Sequence, residues 1–129
     1  MKKFTVLDLL DLDLKEHNAL NLRCIGGRPG LTREIRVPDL NRPGLALSGF
    51  FDNFGFERIQ IFGRGENAYL RKLERENTTN TLDQLFSQEI PCVIFTHALN
   101  PTDDFFARAE HANCPILQTD LESSDFSSR

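Results

Sequence analysis

The residues of this chain that could do chemistry are its three histidines, its three cysteines and a few glycine-containing turns. His97 follows Thr96 at the end of PCVIFT, an apolar run rich in β-branched residues that predicts a buried strand. Ligands bind beside the carboxyl ends of the strands in open α/β sheets, so Thr96 and His97 are candidate ligand contacts. A histidine at this point is also commonly an ordinary loop residue, and both interpretations stay open.

Phosphate binding is the second chemistry that the sequence could support. The P-loop pattern GxxxxGK[ST] does not occur in the chain, which excludes an ATP site of that type within it. The segments GGRPG and GRGE contain glycines but lack the GxGxxG spacing of a dinucleotide site. We interpret them chiefly as turns, and retain Gly63 as a candidate ligand contact because it ends a predicted strand.

Metal binding and nucleophilic catalysis find no support in the spacing of residues. The histidines and cysteines are scattered along the chain and do not form the two closely spaced ligand pairs of a metal site, so we predict no metal and no cofactor in this chain. The pair Asp103 and Asp104 lies in the first turn of a predicted helix, where carboxylates stabilise the helix dipole. No residue is predicted to be catalytic.

Composition limits the class of protein further. The net charge of −4 argues against a dedicated nucleic-acid binder, and no apolar run approaches the roughly 18 residues that cross a membrane. An odd, widely spaced set of three cysteines is typical of a reducing compartment rather than of a disulfide framework. We expect a cytoplasmic protein.

The elements that position these residues follow from apolar spacing. Thr5 with Asp8 predicts the start of a helix, and Thr81 with Gln84 predicts a second capping box. Apolar and polar residues alternate in LNLRC and REIRV, which predicts a strand in each segment. From residue 57 onward strands alternate with helices, which predicts parallel crossovers. The fold class is therefore α/β, with a mostly parallel or mixed sheet flanked by helices.

The stretch RPGLALSGFF admits two interpretations. Large apolar residues recur at helical spacing, at Leu47, Phe50, Phe51 and Phe54, which predicts a packed helix that Asn41 would cap. The alternative is a loop that holds an anion behind Arg42. Burial of four large side chains outweighs the cost of Gly49 within a helix, so we favour the helix.

Several segments, in order and spacing, resemble the N-terminal domain of HPr kinase/phosphorylase. They are GLTREI, NRPGLALSGFFDNF, ERIQIFGRGENAYLRKL and IPCVIFTHALNPTDDFFARAEHANCPILQT. The resemblance implies a domain over residues 1–120, with residues 121–129 beginning a linker to a C-terminal kinase domain that lies outside this chain. It also implies a fold similar to the first domain of Mur ligases.

The resemblance implies a function for the parent protein rather than for this chain alone. Enzymes of the family phosphorylate a serine of the carrier protein HPr, and dephosphorylate it by phosphorolysis, to control bacterial carbon metabolism through the phosphotransferase system. Their ATP, magnesium and catalytic residues belong to the C-terminal domain, and they form homohexamers. This chain is thus expected to be inactive alone and to act in assembly or regulation.

Two other functions stay open at this point. The domain could sense a sugar phosphate or a nucleotide near Gly63, Thr96 and His97, or it could be a stand-alone protein-interaction domain. Arg42 belongs to an Arg-Pro-Gly unit that the family shares. It is either structural or holds a carboxylate or backbone carbonyls at the domain surface.

Overall fold

Five strands form a single sheet in the computed structural model, which describes residues 4–17, 20–37, 40–43, 55–76 and 80–122. The strands are β1 (Arg23–Gly26), β2 (Leu40–Asn41), β3 (Ile59–Phe62), β4 (Val93–Phe95) and β5 (Ile116–Gln118). Their order across the sheet is β1-β5-β4-β3-β2. The neighbours from β2 to β5 are parallel, and β1 is antiparallel to β5. The predicted α/β class with a mixed sheet is confirmed.

Four α-helices flank this sheet within the described residues. They are α1 (Val6–Lys15), α2 (Arg64–Arg75), α3 (Asn80–Phe86) and α4 (Asp103–His111), and a 3₁₀ helix spans Arg28–Thr32. No helix in the described ranges is long and apolar enough to cross a bilayer.

The two faces of the sheet carry separate apolar cores because successive strand side chains point to opposite sides. Phe62, Phe95 and Ile116 pack with residues of α2, α3 and α4 on one face. Ile61 and Ile94 pack on the other face with residues of α1 and of the segment between α1 and β2. The continuous apolar run PCVIFT is thus explained by burial on both sides.

Side-chain capping bonds mark the starts of two helices, α1 and α4. The Thr5 side chain accepts from the Asp8 N–H at 3.2 Å and Asp8 accepts from the Thr5 N–H at 2.9 Å, so the predicted capping box of α1 is confirmed. The capping box expected at Thr81 is wrong, because α3 already begins at Asn80 and Thr81 lies inside it. Helix α4 is capped by Thr102, whose hydroxyl accepts from the Phe105 N–H at 3.2 Å.

Glycines after β1 allow close backbone contact with the segment that precedes β5. Gly27 has a φ of 66°, and a Cβ there would lie 1.9 Å from the carbonyl oxygen of Cys114. A Cβ at Gly30 would lie 1.9 Å from the carbonyl oxygen of Asn113. The interpretation of GGRPG as a turn is therefore confirmed, and the turn is part of the packing between β1 and the end of α4.

Two predictions for residues 33–54 are wrong, and a third lies outside the described residues. REIRV was expected to be a strand, but it joins no strand of the sheet. It makes an isolated bridge between Thr5 and Glu34, and backbone hydrogen bonds run from the Val6 N–H to the Arg33 carbonyl and from the Ile35 N–H to the Phe4 carbonyl. Asn41 lies in β2 opposite Gln60 instead of capping a helix. The helix predicted from Leu47 to Phe54 lies outside the described residues.

All three cysteines are free thiols, as the odd count predicted. Burial raises the pKa of the Cys92 thiol well above its usual value, and it raises the pKa of Cys114 to about 12. Buried thiols of this kind pack as small apolar side chains and are poor nucleophiles.

Candidate functional site

The four candidate residues from the sequence meet at one edge of the sheet. Arg42 follows β2, Gly63 follows β3, and Thr96 and His97 follow β4. Because these three strands are parallel, their carboxyl ends lie side by side. The structure therefore brings together all four residues at the edge where open α/β sheets bind ligands.

Hydrogen bonds around the peptide groups of Phe62 and Gly63 connect these strand ends. The Phe62 carbonyl accepts from the Thr96 N–H at 3.0 Å, and the next carbonyl, that of Gly63, accepts from the Asn67 N–H at 3.0 Å. The Gly63 N–H donates to Glu66 Oε1 at 2.9 Å. We name the connected residues the Gly63 cluster: Arg42, Gly63, Glu66, Asn67, Thr96 and His97.

Arg42 binds the Glu66 carboxylate with two nitrogens. Nε donates to Oε2 at 3.0 Å and Nη2 donates to Oε1 at 2.9 Å. The Glu66 side chain is only 10% exposed, whereas that of Arg42 is 55% exposed. This fork geometry fixes the chain after β2 against the first turn of α2.

The charge state of this pair follows from its contacts. Burial alone would raise the pKa of Glu66, but the hydrogen bonds from Arg42 and from the backbone N–H groups of Gly63 and Glu66 outweigh it and hold that pKa below its usual value. The hydrogen bond to Glu66 raises the pKa of Arg42. Both groups are therefore charged at neutral pH, and together they contribute no net charge.

Glu66 also occupies the position at which the start of α2 would bind an anion. The N-terminus of a helix attracts negative charge through its unpaired N–H groups and its dipole. Here a carboxylate of the same helix already accepts from the Gly63 N–H. An external anion at this helix end would have to displace it.

The turn after β4 has an unusual backbone. His97 and Ala98 have φ values of 58° and 54°, a left-handed conformation that costs a non-glycine residue about 1–2 kcal/mol. The His97 N–H donates to the Leu121 carbonyl and the Ala98 N–H to the Thr119 carbonyl, both at 2.8 Å. His97 Nδ1 lies 3.0 Å from Thr96 Oγ1. Contacts with the segment after β5 therefore hold this turn in place.

Sequence reasoning missed Glu66 and Asn67 as members of the cluster. Glu66 stands three residues after Gly63, the spacing of a capping box, but glycine lacks the side chain that marks such a motif. Asn67 continues the apolar stripe of Leu70 and Leu73 toward the start of α2. A polar residue in a stripe of buried positions is the signal that could have revealed it.

Loss of the Glu66 charge is expected to make stability less dependent on pH. A lowered pKa in the folded state adds stability above the ordinary value of 4.5, and this contribution is lost as the pH falls through the lowered value. Glu66→Gln should cost about 1 kcal/mol at pH 7 and progressively less as the pH falls below 4.5. Urea unfolding at several pH values measures the difference.

Glu74→Gln is the matched control, because Glu74 is exposed on the same helix. The free energy of unfolding of Glu74→Gln should equal that of the wild type at each pH. An equal loss for both variants at every pH would contradict the stabilising role of the Arg42–Glu66 pair.

A second polar region lies at the opposite end of the sheet and is structural. Arg33 lines a cavity of about 230 Å³ together with Arg36, Phe56 and Glu89. Its guanidinium donates to the carbonyls of Ile90 at 2.8 Å and Ala112 at 2.7 Å, which joins the segments before β4 and β5. Within the described residues, no group of three or more histidine, cysteine or acidic side chains could hold a metal ion.

The fold and the sequence together define the class of this protein. Residues 11–129 match the family described as HPr Serine kinase N terminus. The chain therefore belongs to this family, as the segments around Arg42, Gly63 and His97 predicted.

Full-length relatives carry the name HPr kinase/phosphorylase. The relative from Treponema pallidum (strain Nichols) is 50% identical over 121 residues, which are 94% of this chain and 38% of the relative. The relative from Leptospira biflexa serovar Patoc (strain Patoc 1 / Ames) is 39% identical over 113 residues, 88% of this chain and 35% of the relative. The chain thus spans less than two fifths of the length of these proteins.

A solved structure shares the fold at low sequence identity. It contains the CBS and DRTGG domains of the regulatory region of Clostridium perfringens pyrophosphatase, in complex with the activator diadenosine tetraphosphate. The similarity has a TM-score of 0.59 at 16% identity and covers 92% of this chain and 44% of that chain. It supports the α/β architecture alone, and the expected similarity to Mur ligases stays a prediction.

Proposed function

We propose that this chain is the non-catalytic N-terminal domain of a bifunctional HPr kinase/phosphorylase, where it acts in assembly and regulation. The observation that carries this proposal is the family match over residues 11–129 in a chain whose sequence contains no P-loop. The parent protein would use ATP and magnesium, bound by a C-terminal kinase domain, to phosphorylate a serine of HPr. It would thereby control carbon metabolism through the phosphotransferase system in the cytoplasm. Residues 1–120 would form the domain and 121–129 the start of the linker.

The chemistry of the Gly63 cluster supports a non-catalytic role. Phosphoryl transfer needs groups that hold magnesium and neutralise the transferred phosphate. In the cluster, the Glu66 carboxylate accepts from Arg42 and from the Gly63 N–H. Its negative charge therefore stabilises the contact between Arg42 and the start of α2. The positive charge of Arg42 serves the same contact, since two of its nitrogens donate to Glu66.

The outer surface of α1 supports the assembly role. Among the described residues, four of the five exposed large apolar side chains lie on α1 or immediately before it: Phe4, Leu7, Leu12 and Leu14. Leu14 is 64% exposed. Apolar side chains concentrated on one exposed element are typical of a contact surface. We assign this surface to contacts between subunits of the hexamer that the parent protein would form.

The test of the proposal is phosphoryl transfer by the purified chain. Incubated with HPr, magnesium and ATP, the chain should form no phosphoserine, whereas the full-length parent protein should form it under the same conditions. Mass spectrometry of HPr measures the product. Formation of phosphoserine by the purified chain alone would overturn the proposal.

Recognition of a small ligand is a second candidate function, favoured by the convergence of three strand ends on the Gly63 cluster. Strained backbone in folded proteins concentrates at functional sites, and the consecutive left-handed residues His97 and Ala98 lie at this edge. Sugar phosphates and uridine nucleotides are the ligands that the resemblance suggests. A ligand at 100 times its Kd adds about 2.7 kcal/mol of stability, so a rise in Tm across such a panel measures binding.

A further inference from the structure

We propose that the segment after β5 is a strap that opens without unfolding of the sheet, so that the chain leaving the domain is either held against the turn after β4 or released from it. We name residues 119–121 the exit segment. The inference rests on the proposed function in one respect, the start of the linker at residue 121. It deepens the regulatory role, because holding or releasing the first linker residues changes the orientation of a domain attached to them.

The first observation is a concentration of left-handed backbone around the exit segment. Five non-glycine residues in the described part of the chain have a positive φ. Three of them form hydrogen bonds to the exit segment: Asn21, with a φ of 50°, His97, with 58°, and Ala98, with 54°. Asparagine adopts this conformation at small cost, whereas alanine does not. Strained backbone in folded proteins clusters at functional and switching sites, which marks this segment as a candidate switch.

The second observation is the balance between this strain and the backbone bonds that oppose it. The His97 N–H donates to the Leu121 carbonyl and the Ala98 N–H to the Thr119 carbonyl, both at 2.8 Å. One backbone hydrogen bond favours the held state by about 2- to 13-fold. One left-handed residue disfavours it by roughly 5- to 30-fold. The two effects nearly cancel, so other contacts decide whether the exit segment is held.

Those other contacts come from the connection that leads into β1. The Thr119 hydroxyl donates to the Leu20 carbonyl at 2.5 Å. The Asp120 carboxylate accepts from Asn21 Nδ2 at 2.5 Å and from Arg23 Nη2 at 2.9 Å. The Asp120 and Arg23 side chains are 55% and 42% exposed, and exposed ion pairs contribute little to stability. The contacts of Asp120 can therefore break without loss of core packing.

The strand that precedes the exit segment is held much more firmly. β5 is buried and lies between β4 and β1 in the sheet. The Thr119 N–H extends the pairing with β4 by donating to the Phe95 carbonyl at 2.9 Å. Leu121, in contrast, is only half-buried. The boundary between the fixed chain and the chain that can be released thus falls at Thr119.

Amide hydrogen exchange in the purified chain tests the proposal. The amides of His97 and Ala98 donate to the exit segment, whereas the Thr96 amide donates to the Phe62 carbonyl within the sheet at 3.0 Å. A strap that opens by itself exposes the first two amides and leaves that of Thr96 protected. The protection factors of His97 and Ala98 should therefore be at least about 100-fold lower than that of Thr96. Equal protection of the three amides would overturn the proposal, because all three would then open together.

Two variants shift the balance in opposite directions. Asp120→Ala removes both side-chain partners of this carboxylate and should lower the protection factor of the His97 amide by about fivefold. Ala98→Gly removes strain from the turn and should raise the same protection factor by about fivefold. Asp11→Ala, at an exposed position of α1, is the matched control and should leave it unchanged.

The reference amide of Thr96 separates opening of the strap from a general loss of stability. Lower protection at His97 in Asp120→Ala, with unchanged protection at Thr96, supports opening confined to the exit segment. An equal decrease at Thr96, or no decrease at His97, would overturn the proposal. Failure of Ala98→Gly to raise the protection of His97 would also overturn it, because strain would then not oppose the held state. None of these results affects the phosphoryl-transfer assay, which tests the non-catalytic role by itself.

Discussion

Replacement of Phe105 by alanine is expected to lower the free energy of unfolding by about 3–5 kcal/mol. Phe105 is fully buried, and its ring lies 5.1 Å from that of Phe62, 5.2 Å from that of Phe86 and 5.4 Å from that of Phe95. All three contacts are edge-to-face, a geometry that adds to the energy of apolar burial. The ring joins α4 to α3 and to two central strands, so alanine would leave a cavity that several elements share.

Phe56→Ala is the matched control for this substitution. Phe56 is 41% exposed, so loss of the same atoms there should cost less than about 1 kcal/mol. Urea unfolding followed by circular dichroism measures both variants. Similar losses at the two positions would contradict the assignment of Phe105 to the centre of the core.

Replacement of Asp13 by alanine is expected to cost about 2–4 kcal/mol, although the change removes little apolar contact. Asp13 is 4% exposed near the end of α1. Its carboxylate accepts from the Leu20 N–H at 2.7 Å and from the Leu22 N–H at 2.9 Å. Alanine would leave two backbone donors unpaired in the connection that leads from α1 into β1.

The neighbouring acidic residues allow a direct comparison. Asp11 is exposed on the same helix, so Asp11→Ala should change the free energy of unfolding by less than about 0.5 kcal/mol. Asp13→Asn should fall between the two, because one amide oxygen can still accept. An Asp13→Ala variant as stable as Asp11→Ala would show that these two hydrogen bonds contribute nothing net to stability.

Sequence reasoning succeeded where the signal is local or strongly periodic. The capping box of Thr5 and Asp8 marks the start of α1, and the apolar runs around Ile61 and Ile94 mark two buried strands. The alternation of strands and helices after residue 57 predicted the parallel order of β3, β4 and β5. Each of these features depends on residues close together in the chain.

Pairing between distant segments was beyond the same reasoning. Ile35 alternates like a strand residue, yet its N–H donates to the Phe4 carbonyl instead of entering the main sheet. Asn41 has the chemistry of a helix cap, but its side chain donates to Gln60 Oε1 at 2.7 Å in β3. A pattern in one segment does not reveal the partner that will satisfy it.

The candidate site residues were chosen on two grounds. The rule for parallel sheets pointed to Gly63, Thr96 and His97 at strand ends, whereas Arg42 was chosen from the Arg-Pro-Gly unit that the family shares. Glu66 was missed as the partner of Arg42 because the two residues are 24 positions apart. Their contact depends on how the segment after β2 meets α2, which no local pattern specifies.

The antiparallel pairing of β1 with β5 has a consequence for folding of the domain during its synthesis on the ribosome. Arg23 in β1 donates to Gln118 in β5 across 95 positions of sequence. At roughly 5–20 residues per second, the ribosome needs about 5–20 s to supply that partner after β1 has been synthesised. Throughout that delay β1 lacks the strand with which it pairs, so its unpaired edge is open to chaperones at the ribosome.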